Sequence, residues 1–122
     1  MRGLASFILF LSVGYAGTTL GAGLHWQKEV TAKRTFGDYE IVSTAQFYCD
    51  NLALEDHKHW RLPTSSELTR IASPKTEPQG FYWSSTALKS RRHEALTVDA
   101  TTGVTRPESA LMLHWVRCVR AD

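Results

Sequence analysis

The sequence lacks the features that mark several large classes of protein. No apolar run reaches the roughly 20 residues that a membrane-spanning helix needs. The net charge of +2 is far below the positive excess that DNA-binding proteins usually concentrate. No internal repeat, low-complexity tract or long linker divides the 122 residues. These absences predict one domain that does not span a membrane and does not use nucleic acid as its main partner.

The N-terminal segment has the layout of a secretory signal peptide. A positive start at Arg2 is followed by the apolar run Leu4–Val13 and by small residues from Gly14 to Gly23, which is the usual order in such peptides. A short membrane anchor is the alternative. We assign residues 1–22 to the signal peptide and residues 23–122 to the mature domain, and we expect the protein to be periplasmic or extracellular.

The chain has only two cysteines, Cys49 and Cys118. In an exported protein an even number of cysteines indicates a disulfide bond, and two free buried thiols are the alternative. Helical spacing places Cys49 on an apolar stripe with Ala45, Tyr48 and Leu52. A buried cysteine there needs a partner from the core, and Cys118 is the available one.

Two helices are predicted, each with a start signal. Thr64 and Glu67 have the spacing of a capping box, in which each side chain bonds a free backbone N–H, and Pro63 makes the start sharp. Ser43 and Gln46 have the same spacing at the first helix. The apolar face of the second helix would use Leu68, Ile71 and Ala72.

Strands are predicted on both sides of the helices. They cover Leu24–Val30, Phe81–Thr86, Ala95–Val98 and Leu111–Val119, with a turn at Thr102–Gly103 and a polar turn from Lys33 to Asp38. The last strand carries apolar residues on both faces, which is typical of a central strand covered on both sides. A strand, two helices and then several antiparallel strands predict an α+β domain.

The order of several short motifs points to a known family. The mature chain carries Leu24–Gln27, Tyr48–Cys49, Asn51–Leu52, Trp60–Thr64, Glu67–Leu68, Trp83–Thr86 and Val116–Arg120 in turn. Together they resemble the Lcl C-terminal domain family of bacteria, a branch of the C-type lectin-like fold. The resemblance implies two helices packed on a small antiparallel sheet, terminal strands that meet, and a disulfide between the helix cysteine and the last-strand cysteine. It also implies an exported, often surface-associated protein that serves as a binding platform.

Metal sites are not indicated by the sequence. Calcium prefers about six to eight oxygen ligands, and the acids of the predicted loops are scattered. Asp56, His57 and His59 could contribute to a zinc site, but a solvated polar loop before Trp60 is the favoured interpretation. We expect no metal and no cofactor.

A hydrolytic site is also not indicated. Ser84, Ser85 and Thr86, with His93 and Asp99, include the residue types of a catalytic triad. No nucleophile elbow surrounds the serines, and hydroxyls on a strand more often bond backbone groups. We expect no catalytic activity.

The candidate ligand-binding residues are basic. Lys89, Arg91, Arg92 and His93 lie between two predicted strands, and Arg106 in the next predicted loop could join them. Such a patch could contact an acidic glycan, a phosphate-bearing surface polymer or an acidic protein face; a solvated loop is the alternative. Trp60, Trp83 and Trp115 are expected in the core.

These observations predict a function in recognition. We expect an exported, non-catalytic binding domain that recognises a glycan or protein partner at the bacterial cell envelope or surface. The alternative is a structural subunit of a larger envelope or appendage assembly.

Overall fold

The computed structural model describes residues 23–37, 44–54, 57–88 and 93–121. Strands β1 (Leu24–Trp26) and β2 (Lys33–Thr35) precede helices α1 (Thr44–Asp50) and α2 (Ser65–Ile71). Then follow strands β3 (Phe81–Trp83), β4 (Glu94–Asp99), β5 (Thr105–Ser109), β6 (Leu113–Trp115) and β7 (Val119–Ala121). The order is that of an α+β domain, as the sequence predicts. The proposed signal peptide and the capping residue Ser43 lie outside the described residues.

The strands form two sheets in the described part of the chain. The larger has the order β2-β6-β3-β4-β5, and β1 pairs with β7 in the smaller. β6 lies parallel to β3, and the other strand pairs are antiparallel. The chain crosses from β5 to the far side of β3 instead of forming a hairpin, so β6 enters parallel. The larger sheet is therefore mixed, whereas the sequence predicts a small antiparallel sheet.

The terminal strands meet, as the family resemblance implies. Leu24 pairs with Ala121 and Trp26 with Val119. β1 ends at Trp26 and is shorter than the predicted strand, because the side chain of Gln27 turns inward. Gln27 Nε2 donates to the Tyr48 hydroxyl at 2.8 Å, and Gln27 Oε1 accepts the Cys118 N–H at 2.9 Å. The first and last described residues of the domain thus share one small sheet.

A disulfide joins α1 to the segment just before β7. Cys49 and Cys118 are bonded, with their Cα atoms 5.5 Å apart, and both are fully buried. The predicted stripe on α1 is confirmed in part, since Ala45 is also fully buried whereas Tyr48 and Leu52 are half-buried. The surrounding core includes Trp60, Leu62, Trp83, Ala95 and Val116.

The second helix begins as predicted. Glu67 N–H donates to Thr64 Oγ1 at 3.2 Å, and Glu67 Oε1 accepts the Thr64 N–H at 2.9 Å. Leu68 packs in a second apolar cluster with Val98 of β4 and with Ala100, the residue after that strand. Ile71, predicted on the buried face, is exposed because only the Leu68 side of this short helix meets the sheet.

Two other predicted elements are wrong. The polar turn from Lys33 to Asp38 is strand β2 over Lys33–Thr35, which pairs with β6; Asp38 itself lies outside the described residues. The predicted strand Leu111–Val119 is divided: β6 lies centrally between β2 and β3, and β7 belongs to the small sheet.

The remaining strand and turn predictions are confirmed with shorter or shifted bounds. β3 ends at Trp83 rather than Thr86, β4 contains the predicted Ala95–Val98, and Gly103 takes a φ of 82° in the turn before β5. That angle is in the left-handed region that glycine adopts readily.

Candidate functional site

Only part of the predicted basic patch falls in the described residues. Lys89, Arg91 and Arg92 lie outside them. His93 is exposed and directly precedes β4. Arg106 is in β5, opposite Thr97, so its predicted position in a loop is wrong. It lies about 10 Å along that strand from Ser109, the partner of Glu94.

Arg106 is held against an aromatic ring of the larger sheet. Its guanidinium carbon lies 4.0 Å from the centre of the Phe81 ring, and its Nε donates to Glu108 Oε2 at 2.6 Å. Both contacts hold the guanidinium in place, although the Arg106 side chain is largely exposed. The sequence could not predict this, because Phe81 and Arg106 meet only through the pairing of β3, β4 and β5.

Glu108, which is in β5, also approaches His114, which is in β6. Glu108 Oε1 lies 3.4 Å from His114 Nε2, and the imidazole packs edge-on against Trp83 at 4.8 Å between ring centres. Burial lowers the pKa of His114 below its ordinary value, and the Glu108 carboxylate opposes that shift. The larger sheet therefore carries a guanidinium, a carboxylate and an imidazole side by side.

The turn after β5 makes backbone hydrogen bonds to two other segments of the chain. Ala110 N–H donates to the His93 carbonyl at 2.8 Å, and the Ala110 carbonyl accepts the Gly37 N–H at 3.0 Å. Ala110 therefore connects the residue before β4 with the end of the β2 segment. Leu111 follows directly, so its Cα lies within about 10 Å of that of His93.

This turn and the first residue of β6 expose three consecutive apolar side chains, which we call the apolar tip: Leu111, Met112 and Leu113. They are 75%, 53% and 58% exposed. Isolated exposed apolar residues are normal, but adjacent ones more often mark an interaction surface. The tip was missed from the sequence because its apolar residues run directly into those of β6, with no glycine or proline to separate a turn from a strand.

The residues of the possible zinc site do not form one among the described residues. No group of three or more His, Cys, Asp or Glu side chains lies close enough to hold a metal in that part of the chain. His57 and His59 are exposed, and Asp56 lies outside it. The backbone of His57 instead exchanges hydrogen bonds with that of Leu54.

The possible triad residues are not brought together. Ser84 is fully buried and its hydroxyl donates to the Leu96 carbonyl at 2.8 Å, while that of Ser85 donates to the Pro63 carbonyl at 3.3 Å. The sequence predicts such backbone bonds, although both serines follow β3 and do not lie in it. His93 and Asp99 lie at opposite ends of β4, roughly 20 Å apart.

The tryptophans are mostly structural, as predicted. Trp60 and Trp83 are buried, and Trp83 Nε1 donates to the Arg34 carbonyl at 2.7 Å. Trp115 is half-buried and donates to the Gln79 carbonyl at 3.0 Å. A single polar partner for each buried or half-buried indole N–H is the usual arrangement.

Comparison with protein families decides the assignment. The model of the Lcl C-terminal domain matches residues 18–120. The chain belongs to the Lcl C-terminal domain family. The match covers every helix and strand except the last residue of β7. No curated protein matches the sequence, and within the described residues no helix is long and apolar enough to cross a membrane.

Proposed function

We propose that this Lcl C-terminal domain is an exported, non-catalytic binding domain, and that its partner is a protein at the bacterial cell envelope or surface. The observation that carries the proposal is the apolar tip beside His93. Leu111 to Leu113 offer apolar area, and the chain that leads into His93 carries three further basic residues in its sequence.

The chemistry of this end of the sheet favours a protein over a glycan. Protein interfaces combine an apolar centre with a polar or charged rim. A glycan, with its many hydroxyl groups, would gain little from a run of leucine and methionine side chains. The partner we propose therefore carries an apolar depression bordered by acidic side chains, which would meet the tip and the basic residues together.

The family and the disulfide support the proposed location and fold. A buried disulfide is typical of proteins that mature in an oxidising compartment, which agrees with export through a signal peptide at residues 1–22. The adjacent terminal strands and two helices agree with a C-type lectin-like fold. Binding folds of this kind place recognition in their loops. His93, Leu111 and Met112 lie outside the strands, and Leu113 is the first residue of β6.

A structural subunit of an envelope or appendage assembly is the second candidate. The apolar tip favours it too, since permanent interfaces are richer in apolar contacts than transient ones. The edges of the larger sheet do not give further support to a structural subunit. β2 has three residues, and β5 contains Pro107, which lacks a backbone N–H; both features discourage the addition of another strand.

Site-specific photo-crosslinking in the producing cells tests the proposal. A photoreactive phenylalanine analogue replaces Leu111 in one variant and Val104 in the control. Val104 is 57% exposed and lies before β5, at the opposite end of that strand from the tip. We expect Leu111 to form a discrete crosslinked protein product and Val104 to form none.

The outcome also separates the two candidates. Recovery of the product as a stable complex without irradiation favours a structural subunit, and recovery only after irradiation favours reversible recognition. If neither position crosslinks, and the purified domain is retained on an array of acidic glycans, the protein partner is wrong and a glycan is the ligand.

A further inference from the structure

A cavity of about 520 Å³ lies beside α1, on a part of the molecule distinct from the apolar tip. Binding pockets for small groups usually occupy about 300–1,000 Å³. Its lining is mostly apolar. It includes Phe47 and Tyr48 from α1 and Leu52, which follows the helix. Phe47 is 53% exposed, although it stands on a short helix whose opposite side carries the buried Cys49.

Arg34 supplies the charge at this cavity. Its guanidinium carbon lies 4.1 Å from the centre of the Tyr48 ring, so the cation lies over the face of that ring. No carboxylate of the described residues pairs with it. The N–H groups of a guanidinium match a carboxylate in a bidentate geometry.

A second depression, of about 640 Å³, adjoins the first. Tyr48 and Leu52 line both, so the two share one wall. The second depression follows β1 and the residues after it, and its lining includes both Lys28 and Glu29. Arg34 lies in the first depression, and Lys28 and Glu29 lie in the second. The two depressions are considered together as one groove. We call it the α1 groove.

We propose that the α1 groove binds an extended peptide segment of a partner protein, with an acidic side chain on Arg34 and an apolar side chain against Phe47. Two neighbouring depressions suit an extended chain better than one small molecule. Arg34 complements an acidic residue in such a peptide. This site goes beyond the proposed function, which depends on the apolar tip.

Selection from a random peptide library displayed on phage tests this proposal on the disulfide-bonded domain. Dodecapeptides are selected on the wild type, and their affinities are then measured on Arg34→Gln, Phe47→Ser and the control Arg70→Gln. Arg70 is exposed in the last turn of α2. Thermal unfolding of each variant shows whether it remains folded.

We expect the selected peptides to combine acidic and apolar residues. Their affinity should fall at least tenfold on Arg34→Gln and on Phe47→Ser, and stay within twofold on Arg70→Gln. Because Phe47 is exposed, its replacement provides a test even if Arg34→Gln weakens folding. Phenylacetate is titrated in parallel as a probe for a small carboxylic acid.

Three results would overturn the proposal. The first is a selection that yields no peptides enriched on the wild type. The second is peptides that bind Arg34→Gln and Phe47→Ser as well as they bind the wild type. The third is binding of phenylacetate that requires Arg34 while no peptide does, which would assign the cavity to a small organic acid. Failure here leaves the crosslinking result at Leu111 unaffected, so the two proposals fail separately.

Discussion

Arg61 and Glu67 form a two-point ion pair at the start of α2. Arg61 Nη1 lies 2.8 Å from Glu67 Oε1, and Nη2 lies 2.8 Å from Oε2. The same Oε1 accepts the N–H of Thr64. One carboxylate therefore closes the capping box and also binds the segment before the helix, where Arg61 exchanges backbone hydrogen bonds with Val119.

This arrangement predicts a loss of stability in acid. Hydrogen bonding from Arg61 is the main influence that holds the pKa of Glu67 at about 2, assisted by the Thr64 N–H and opposed by partial burial. A carboxyl whose pKa is lowered by folding stabilises the native state above its unfolded pKa, and the contribution is lost as pH falls through the folded pKa. The window here runs from about pH 4.5 down to about pH 2.

Urea unfolding of the wild type and of Glu67→Gln across that window measures the effect. We expect the free energies of unfolding to differ most near neutral pH and to converge as the wild-type carboxyl becomes protonated. A difference that stays constant down to about pH 2 would contradict this role of the ion pair.

Replacing the cap residue should destabilise the domain without changing its fold. Thr64→Ala removes the hydroxyl that accepts the Glu67 N–H, and losses of this kind usually cost about 0.5–2 kcal/mol. Ser66→Ala is the matched control, because Ser66 is an exposed residue in the first turn of the same helix. Chemical denaturation should show a loss for Thr64→Ala only; equal effects would mean that the cap contributes nothing specific.

The disulfide should be required for most of the stability. Cys49 and Cys118 are 69 residues apart in the sequence and fully buried, and removal of such a bond from a small exported domain typically costs about 2–5 kcal/mol. Cys49→Ser with Cys118→Ser should therefore unfold at a much lower denaturant concentration. The unreduced wild type, denatured and titrated for thiols, should show none; two reactive thiols would mean that the bond does not form in the mature protein.

Chelation should leave the domain unchanged. The expectation is based on the sequence, which has no calcium motif, and on the positions of His57 and His59. We expect the melting temperature to be the same with and without EDTA. A fall of several degrees that one divalent metal reverses would show a bound metal, and variants of Asp56, His57 and His59 would be the first to examine.

The elements that the sequence predicts well are those that depend on neighbouring residues. Thr64 and Glu67 are three positions apart, and their capping geometry is a local property of the chain. Cys49 could be placed on a buried stripe because helical periodicity is also local. Its bond to Cys118 followed from the small number of cysteines and the family resemblance.

The features that the sequence misses depend on packing between distant segments. Nothing local to Leu113–Trp115 indicates that β6 inserts between β2 and β3, parallel to β3. The contact of Arg34 with the Tyr48 ring arises only where β2 meets α1. The apolar tip was assigned to a buried strand because hydrophobicity alone does not distinguish a central strand from a turn that exposes its side chains.

The most direct test of the account measures how strongly the crosslinked protein binds to variants of the tip. Calorimetric titration would compare the wild type, Met112→Asp, the control Val104→Asp and the double reversal of Arg91 and Arg92 to Glu. We expect Met112→Asp and the double reversal to weaken binding at least tenfold, and Val104→Asp to bind as the wild type does. The affinity of the wild type should fall as the salt concentration rises. If Met112→Asp binds as tightly as the wild type, the apolar tip is not the recognition surface and the central claim is wrong.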